Sequence, residues 1–211
     1  MPNRRVLRGL YAITDPQLTP LPSALERIEQ SLRGGARLLQ YRDKGDDHER
    51  RLREALSLRE LCHRHGAQFI VNDDVRLAHE SGADGVHLGR DDVDVATARG
   101  MLGADAIIGV SCYDRLELAL AAAAGGADYV AFGSFYPSGT KPAAVRADPS
   151  LIAAFKRQAD LPVCAIGGIT PDNAPTLIAA GADMLAVIGG LFAQADVEMQ
   201  ASRITAAFDR A

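Results

Sequence analysis

Eight short apolar runs recur along the chain, each followed by a polar or glycine-rich stretch and then by a segment of helical periodicity. The runs cover 10–13, 38–39, 69–71, 85–88, 107–110, 129–132, 163–166 and 184–188. None alternates cleanly between apolar and polar residues, which is the pattern of parallel strands buried on both faces. Helical periodicity covers 23–33, 47–65, 75–80, 95–102, 114–124, 149–158, 174–180 and 197–207. Several of these segments run into glycine: Gly34-Gly35-Ala36, Gly82-Ala83-Asp84, Gly125-Gly126-Ala127-Asp128 and Gly181-Ala182-Asp183. A glycine just past a helix end supplies a left-handed cap. Eight strands alternating with about eight helices predict the α/β class and a (β/α)8 TIM barrel. A doubly wound open sheet is the rival arrangement. No linker or low-complexity segment interrupts the alternation, so 1–211 is expected to be one domain.

In such a barrel, chemistry sits where the strands end. Thr14-Asp15-Pro16, the 40–44 stretch, Asn72-Asp73-Asp74, His87 with Gly89-Arg90-Asp91-Asp92, Ser111, the 133–141 loop, Gly167-Gly168 and Gly189-Gly190 all follow strands. Polar and glycine residues collect at one end of every strand, an asymmetry that a purely structural protein does not need.

The densest of these stretches is Gln40-Tyr41-Arg42-Asp43-Lys44, where an apolar strand turns abruptly polar. In extended chain Arg42 and Lys44 share one side. Two cations beside the Gln40 amide suit a multiply charged anion such as a diphosphate; a strand end with solvated charges is the plainer reading. Asp73 and Asp92 end neighbouring strands and can share one Mg²⁺ with water and a diphosphate, because Mg²⁺ keeps few protein ligands. Helix capping by Asp74, and by Asp91 or Asp94, competes for the same carboxylates. The glycine pairs after strands seven and eight fit a phosphomonoester gripped by backbone N–H groups, or simply tight turns. Ser138-Gly139-Thr140-Lys141 adds hydroxyls and a cation on a long loop. His87 suits either a general acid–base or a satisfied barrel histidine. His63 and His65 close a helix, where cations complement its dipole. No nucleophile lies beside a base, so covalent catalysis finds no support.

Composition narrows the partners. Apolar residues make up 47% of the 211, enough for a sizeable core. A net charge of −4 argues against a general nucleic-acid or membrane surface. The three cysteines, Cys62, Cys112 and Cys164, form no metal-binding spacing and read as reduced thiols of a cytoplasmic protein. Residues 1–8 are polar and basic with no apolar stretch of signal-peptide type after them, and no apolar run approaches membrane length.

Six motifs in order resemble the thiamine-phosphate synthase family: Gln40-Tyr41-Arg42-Asp43-Lys44, Val71-Asn72-Asp73-Asp74, Gly85-Val86-His87-Leu88-Gly89, Ile108-Gly109-Val110-Ser111, Pro137-Ser138-Gly139-Thr140-Lys141 and Ala165-Ile166-Gly167-Gly168-Ile169. The resemblance spans 11–192. It implies a transferase that joins hydroxymethylpyrimidine diphosphate to a thiazole phosphate by a dissociative substitution, releasing diphosphate. It further implies that Gln40, Tyr41, Arg42, Asp43, Lys44, Asn72, Ser111 and Lys141 contact the pyrimidine diphosphate, with Arg42, Lys44, Ser111 and Lys141 as the catalytic positions. Asp73 and Asp92 are implied Mg²⁺ ligands. Ser138, Gly139, Thr140, Gly168 and the Ile188-Gly189 backbone are implied contacts of the thiazole phosphate. The chain departs from the family pattern in three places. Ser138 stands where threonine is usual, Gly189 where serine is frequent, and Arg90-Asp91-Asp92 replaces a pattern closer to Gln-Glu-Asp. A thiazole tautomerase of the same fold and a non-catalytic phosphate binder are the alternatives. The expected partners are small molecules, with no nucleic acid and no membrane; a homo-oligomer is compatible with the sequence.

Overall fold

Apolar runs too short to stand alone bury both faces by closing on themselves. The computed structural model, which describes residues 7–137 and 145–210, has them as a closed barrel. The strands are β1 (Gly9–Ile13), β2 (Leu38–Tyr41), β3 (Gln68–Asn72), β4 (Gly85–Leu88), β5 (Ile107–Tyr113), β6 (Tyr129–Gly133), β7 (Val163–Ile166) and β8 (Met184–Val187). Each is parallel to the next, and β8 returns to β1 with Gly9 opposite Met184. The helices between them are α1 (Leu25–Arg33), α2 (His48–Arg64), α3 (Val75–Ser81), α4 (Val95–Leu102), α5 (Leu116–Ala124), α6 (Ser150–Lys156) and α7 (Ala174–Ala179). A single turn that periodicity does not detect, α8 (Gly189–Phe192), precedes the closing helix α9 (Val197–Phe208). The barrel is the expected one and the open sheet is ruled out by closure. β5 runs past Ser111 to Tyr113, with an irregular register against β6 at that point.

Parity along the strands divides the core in two. One set of positions faces the helices and packs with residues such as Ile28, Leu58 and Leu77. The other faces the barrel axis and includes Tyr11, Leu38, Ile70, Ile107, Tyr129, Cys164 and Met184. Successive strand residues point to opposite sides. Counting by two from these axial residues leads to Gln40, Asn72 and Ser111 at the upper ends of their strands, and on β4 the outward packing of Val86 and Leu88 leaves His87 on the axial side. The side chains that crown the axis are set by the same alternation that fills it.

The Gly-Ala-Asp repeats serve the opposite end. Asp84, Asp128 and Asp183 each stand just before a strand and accept the amide of the neighbouring one: Phe69 at 2.8 Å, Ile108 at 2.8 Å and Val163 at 2.7 Å. A side-chain nitrogen backs each carboxylate, from His63 at 2.9 Å, Arg99 at 2.6 Å and Lys156 at 2.6 Å. An amide at a strand's start would otherwise lack a partner, so the repeat is a structural clamp. His65 likewise pairs with Glu29 at 3.0 Å, so both helix-end histidines are engaged in the scaffold. The three cysteines are free and buried. Among the described residues no helix is long and apolar enough to cross a membrane.

Candidate active site

The polar ends of β2, β3, β4 and β5 share one mouth of the barrel. Gln40 takes the axial side near the end of β2, and Arg42, Asp43 and Lys44 follow beyond the strand. Gln40 is buried and donates through Nε2 to the Tyr11 hydroxyl at 2.8 Å. The Arg42 backbone amide is pinned by Thr14 Oγ1 at 2.9 Å, and the Arg42 guanidinium forms no ion pair among the described residues. Lys44, exposed, reaches Asp73 with Nζ 3.4 Å from Oδ2. The odd positions turn outward instead. Tyr41 donates its hydroxyl to Glu54 at 2.6 Å, and Arg50 bonds both Glu54 and Asp43 at 2.9 Å. Burial pushes the Tyr41 phenol up, and Glu54 adds to it. Burial also raises the Asp43 carboxyl, but Arg50 and the Gly45 amide outweigh it and hold it below its ordinary range. Tyr41, Arg42 and Asp43 line a cavity of about 200 Å³ between the β1 end and α2. Of the 40–44 cluster, the structure groups Gln40 and Lys44 with the axial site and ties Tyr41 and Asp43 to α2.

Asp73 and Asp92 meet. Asp92 accepts the Gly89 amide at 2.6 Å, and a side chain on Gly89 would lie 3.2 Å from Asp92 Oδ2 and 3.9 Å from Asp73 Oδ1. Burial raises the Asp92 carboxyl above its ordinary value, and the adjacent Asp73 carboxylate raises it further. The competing capping role falls to their neighbours. Asp74 caps α3 by accepting Leu77 N–H at 2.9 Å and pairs with Arg51 at 3.0 Å. Asp94 caps α4 through Thr97 N–H at 2.7 Å, and Asp91 is exposed. Asp73 is held at φ 64, a left-handed backbone uncommon for aspartate. A strained backbone that keeps two carboxylates side by side, each with oxygens unspent on capping, is a donor set for a hard divalent cation. Two carboxylates fall short of a full protein cage, and no group of three or more His, Cys, Asp or Glu residues suited to a metal occurs among the described residues.

Across the same mouth runs a buried line of polar groups. Tyr11 and Tyr129 hydroxyls lie 3.0 Å apart, Tyr129 lies 2.9 Å from His87 Nδ1, and His87 Nε2 lies 2.8 Å from Ser111 Oγ. His87 stacks on the Tyr129 ring. Sequence reasoning placed both tyrosines in apolar runs and missed them as site residues. A phenol inside a parallel barrel needs a hydrogen-bond partner, which was the available signal. Room for the Tyr129 phenol comes from Gly109, where any Cβ would collide with the ring and hydroxyl.

The glycine pairs also converge. A Cβ on Gly168 would meet Tyr136 and Pro137 of the β6 loop, and one on Gly190 would meet the Ile169 carbonyl and lie 2.9 Å from Val187. Close approach at Gly168 sets the end of β7 against the β6 loop, and close approach at Gly190 sets the start of α8 against Ile169. Gly189 and Gly190 open α8, where the first amides have no intrahelical acceptor, and the Gly189 side-chain position faces open space. Ser138, Gly139, Thr140 and Lys141 lie outside the described residues.

A family model described as thiamine monophosphate synthase matches residues 10–191. A thiamine-phosphate synthase of Thioalkalivibrio sulfidiphilus is 58% identical over 203 residues, covering 96% of each chain. One of Chromobacterium violaceum is 56% identical, covering 98% of this chain and 97% of its own. The solved structure of a thiamine phosphate pyrophosphorylase from Pyrococcus furiosus superposes with a TM-score of 0.87 at 33% identity, over 99% of this chain and 98% of that one. The expected resemblance therefore holds over nearly the whole chain: it belongs to the thiamine monophosphate synthase family of transferases.

Proposed function

We propose that the chain condenses 4-amino-5-hydroxymethyl-2-methylpyrimidine diphosphate with 4-methyl-5-(2-phosphoethyl)thiazole, or its carboxylated form, to give thiamine phosphate and diphosphate. The observation that carries this reading is the Asp73–Asp92 carboxylate pair with Lys44 beside it, at the mouth that Gln40, Asn72 and Ser111 also line. Asp73 and Asp92 hold Mg²⁺, which when bound offsets the charge of the diphosphate. Lys44, Arg42 and, from the 138–141 stretch, Lys141 surround the leaving group with further positive charge. Gln40, Asn72 and Ser111 orient the pyrimidine. Tyr41 and Asp43 contribute through Arg50 and Glu54, which fix how Arg42 and Lys44 leave β2. Ser138, Gly139, Thr140, Gly168 and the Ile188-Gly189 backbone hold the thiazole phosphate.

This distribution suits a dissociative substitution. The bond to diphosphate breaks, a pyrimidine methylene cation forms, and the thiazole nitrogen attacks it. The barrier is charge separation, so fixed cations at the leaving group and a held nucleophile are the required elements. No strong general base is required. The free buried cysteines support a reducing, cytoplasmic setting.

Diphosphate release from purified protein given both substrates, with Mg²⁺ and with a chelator, tests the reading. Release requiring both substrates and the metal, with thiamine phosphate as co-product, is expected. Binding of the thiazole phosphate without either product would overturn the diphosphate assignment and favour the tautomerase.

A further inference from the structure

We propose that Asn173 is a positioning residue of the thiazole-phosphate site: it fixes the turn after β7 so that the Ile169 backbone N–H stands as a phosphate donor beside those at the start of α8. The proposal deepens the functional reading above and rests on its placing of the thiazole phosphate at Gly168 and the Ile188-Gly189 backbone.

Asn173 stands immediately before α7, the position from which asparagine ordinarily accepts one of a helix's first free amides. It caps nothing there. Both of its polar atoms reach back to the β7 turn instead. Nδ2 donates to the Gly168 carbonyl at 3.0 Å, and Oδ1 accepts the Thr170 N–H at 2.9 Å. A carbonyl needs a donor and an N–H needs an acceptor, so these two partners leave the side-chain amide a single orientation. The two carbonyls before Gly168 are taken by the β6 loop: Ile166 by the Phe135 N–H at 3.1 Å and Gly167 by the Tyr136 N–H at 3.0 Å. Asn173 is therefore the next rung of the same ladder, supplied by a side chain where main-chain donors have run out.

In a planar trans peptide the C=O and the N–H that follows it point opposite ways. With the Gly168 C=O drawn to Asn173, the Ile169 N–H is turned away from it. With the Thr170 N–H drawn to Asn173, the Ile169 C=O is turned away as well. That far side is the one on which α8 opens, since a Cβ on Gly190 would collide with the Ile169 carbonyl oxygen. Ile169 is buried, and neither its N–H nor that of Gly168 meets a carbonyl among the described residues. The N–H of a buried residue rarely goes without a partner, and this one lies beside a turn whose first amides also lack an intrahelical acceptor. An oxyanion satisfies converging backbone donors of this kind. Gly168 sits at φ 61, and glycine is free to leave that conformation, so its own backbone would not hold the peptide plane once Asn173 were gone.

Asn173→Ala should raise KM for the thiazole phosphate about tenfold, the scale of one hydrogen bond to a charged group. In the same variant kcat and KM for the pyrimidine diphosphate should stay within about twofold, which a general structural defect would not spare. In the ¹⁵N-labelled wild type, NMR titration with the thiazole phosphate should move the Ile169 amide proton downfield. The dephosphorylated alcohol, 4-methyl-5-(2-hydroxyethyl)thiazole, should leave it in place. An Ile169 amide that does not respond to bound thiazole phosphate overturns the proposal. So does a folded Asn173→Ala with an unchanged KM, or one in which kcat and both KM values suffer alike. If the variant does not fold, the wild-type amide shift still decides. If the wild type forms no thiamine phosphate while the Ile169 amide responds to the phosphorylated thiazole alone, the functional reading fails and the phosphate donor stands.

Discussion

Asp92→Asn should make the metal-free protein more stable and the Mg²⁺-loaded enzyme nearly inactive. Asn keeps an oxygen for the Gly89 amide, so that 2.6 Å bond survives. What disappears is a half-buried negative charge within hydrogen-bonding reach of the Asp73 carboxylate. Two unit charges at that separation repel by about 4 kcal/mol at an effective dielectric constant of about 20. Asp73 is 31% exposed and Lys44 lies 3.4 Å from it, and that screening reduces the gain to about 1 kcal/mol. For a chain of this length, 1 kcal/mol moves Tm by about 2–4 °C, so in chelator the variant should melt that much higher. Mg²⁺ at about ten times its Kd adds about 1.4 kcal/mol to the wild type and nothing to the variant. The order of the two melting temperatures should therefore reverse between chelator and Mg²⁺.

The pH dependence gives the same effect an independent handle. The Asp92 carboxyl is raised in the folded protein above its ordinary 3.8, so the folded state binds the proton more tightly than the unfolded one. Metal-free stability should then fall as pH rises from about 3.8 through the folded value, and the Asn variant should lack that component. Differential scanning fluorimetry across pH, with and without Mg²⁺, reads both, and diphosphate release should drop at least about 10²-fold with loss of the metal's electrostatic contribution. A variant that melts lower than wild type in chelator, or that Mg²⁺ stabilises as much as wild type, refutes the shared metal site.

Other expectations follow from the same packing. Gly85→Ala places a Cβ against the Ile107 carbonyl and 2.7 Å from Ile107 Cβ, in a strand that cannot yield. It should cost about 3 kcal/mol in urea unfolding, and a loss under about 1 kcal/mol would contradict the register. Gly189→Ser enters open space without a positive φ; stability should hold within about 0.5 kcal/mol. KM for the thiazole phosphate should fall about tenfold as a hydroxyl joins the phosphate contacts, and an unchanged KM would remove Gly189 from that site. Lys141→Ala should lower kcat by roughly 10²-fold, the scale of one lost preorganised electrostatic donor; near-normal turnover would sink its role.

The barrel was legible because its signal is local and repeated. A strand buried on both faces must be apolar, a helix must begin and end somewhere, and eight such units in 211 residues leave few closures. The misses have physical causes. The turn at Gly189–Phe192 is too short to carry a helical period. The aspartates of the Gly-Ala-Asp repeat were visible as punctuation, but their clamp on the neighbouring strand's amide is a contact between segments about 15 to 20 residues apart. In the 40–44 stretch, β2 ends at Tyr41, so the strand's alternation stops before Arg42 and Lys44. The hold of α2 on Tyr41 and Asp43 was not legible, because Arg50 and Glu54, which bond them, belong to another periodicity.

The site itself was partly legible for a reason that extends beyond this chain. In a barrel, the residue that touches substrate and the residue that fills the axis differ by an even step along the same strand. Leu38 packs on the axis and Gln40, two residues on, joins the buried polar line. Ile107, Gly109 and Ser111 repeat the sequence of roles on β5, with the glycine admitting a phenol from β6. Once an axial residue is known, the working face can be counted upward from it. What cannot be counted is the traffic between strands, since Tyr11 and Tyr129 are 118 positions apart and their apolar neighbours mark them as core. A buried tyrosine or histidine at an axial position, with a glycine at axial height on the adjacent strand, is therefore the sequence pattern that should be read as site rather than filling.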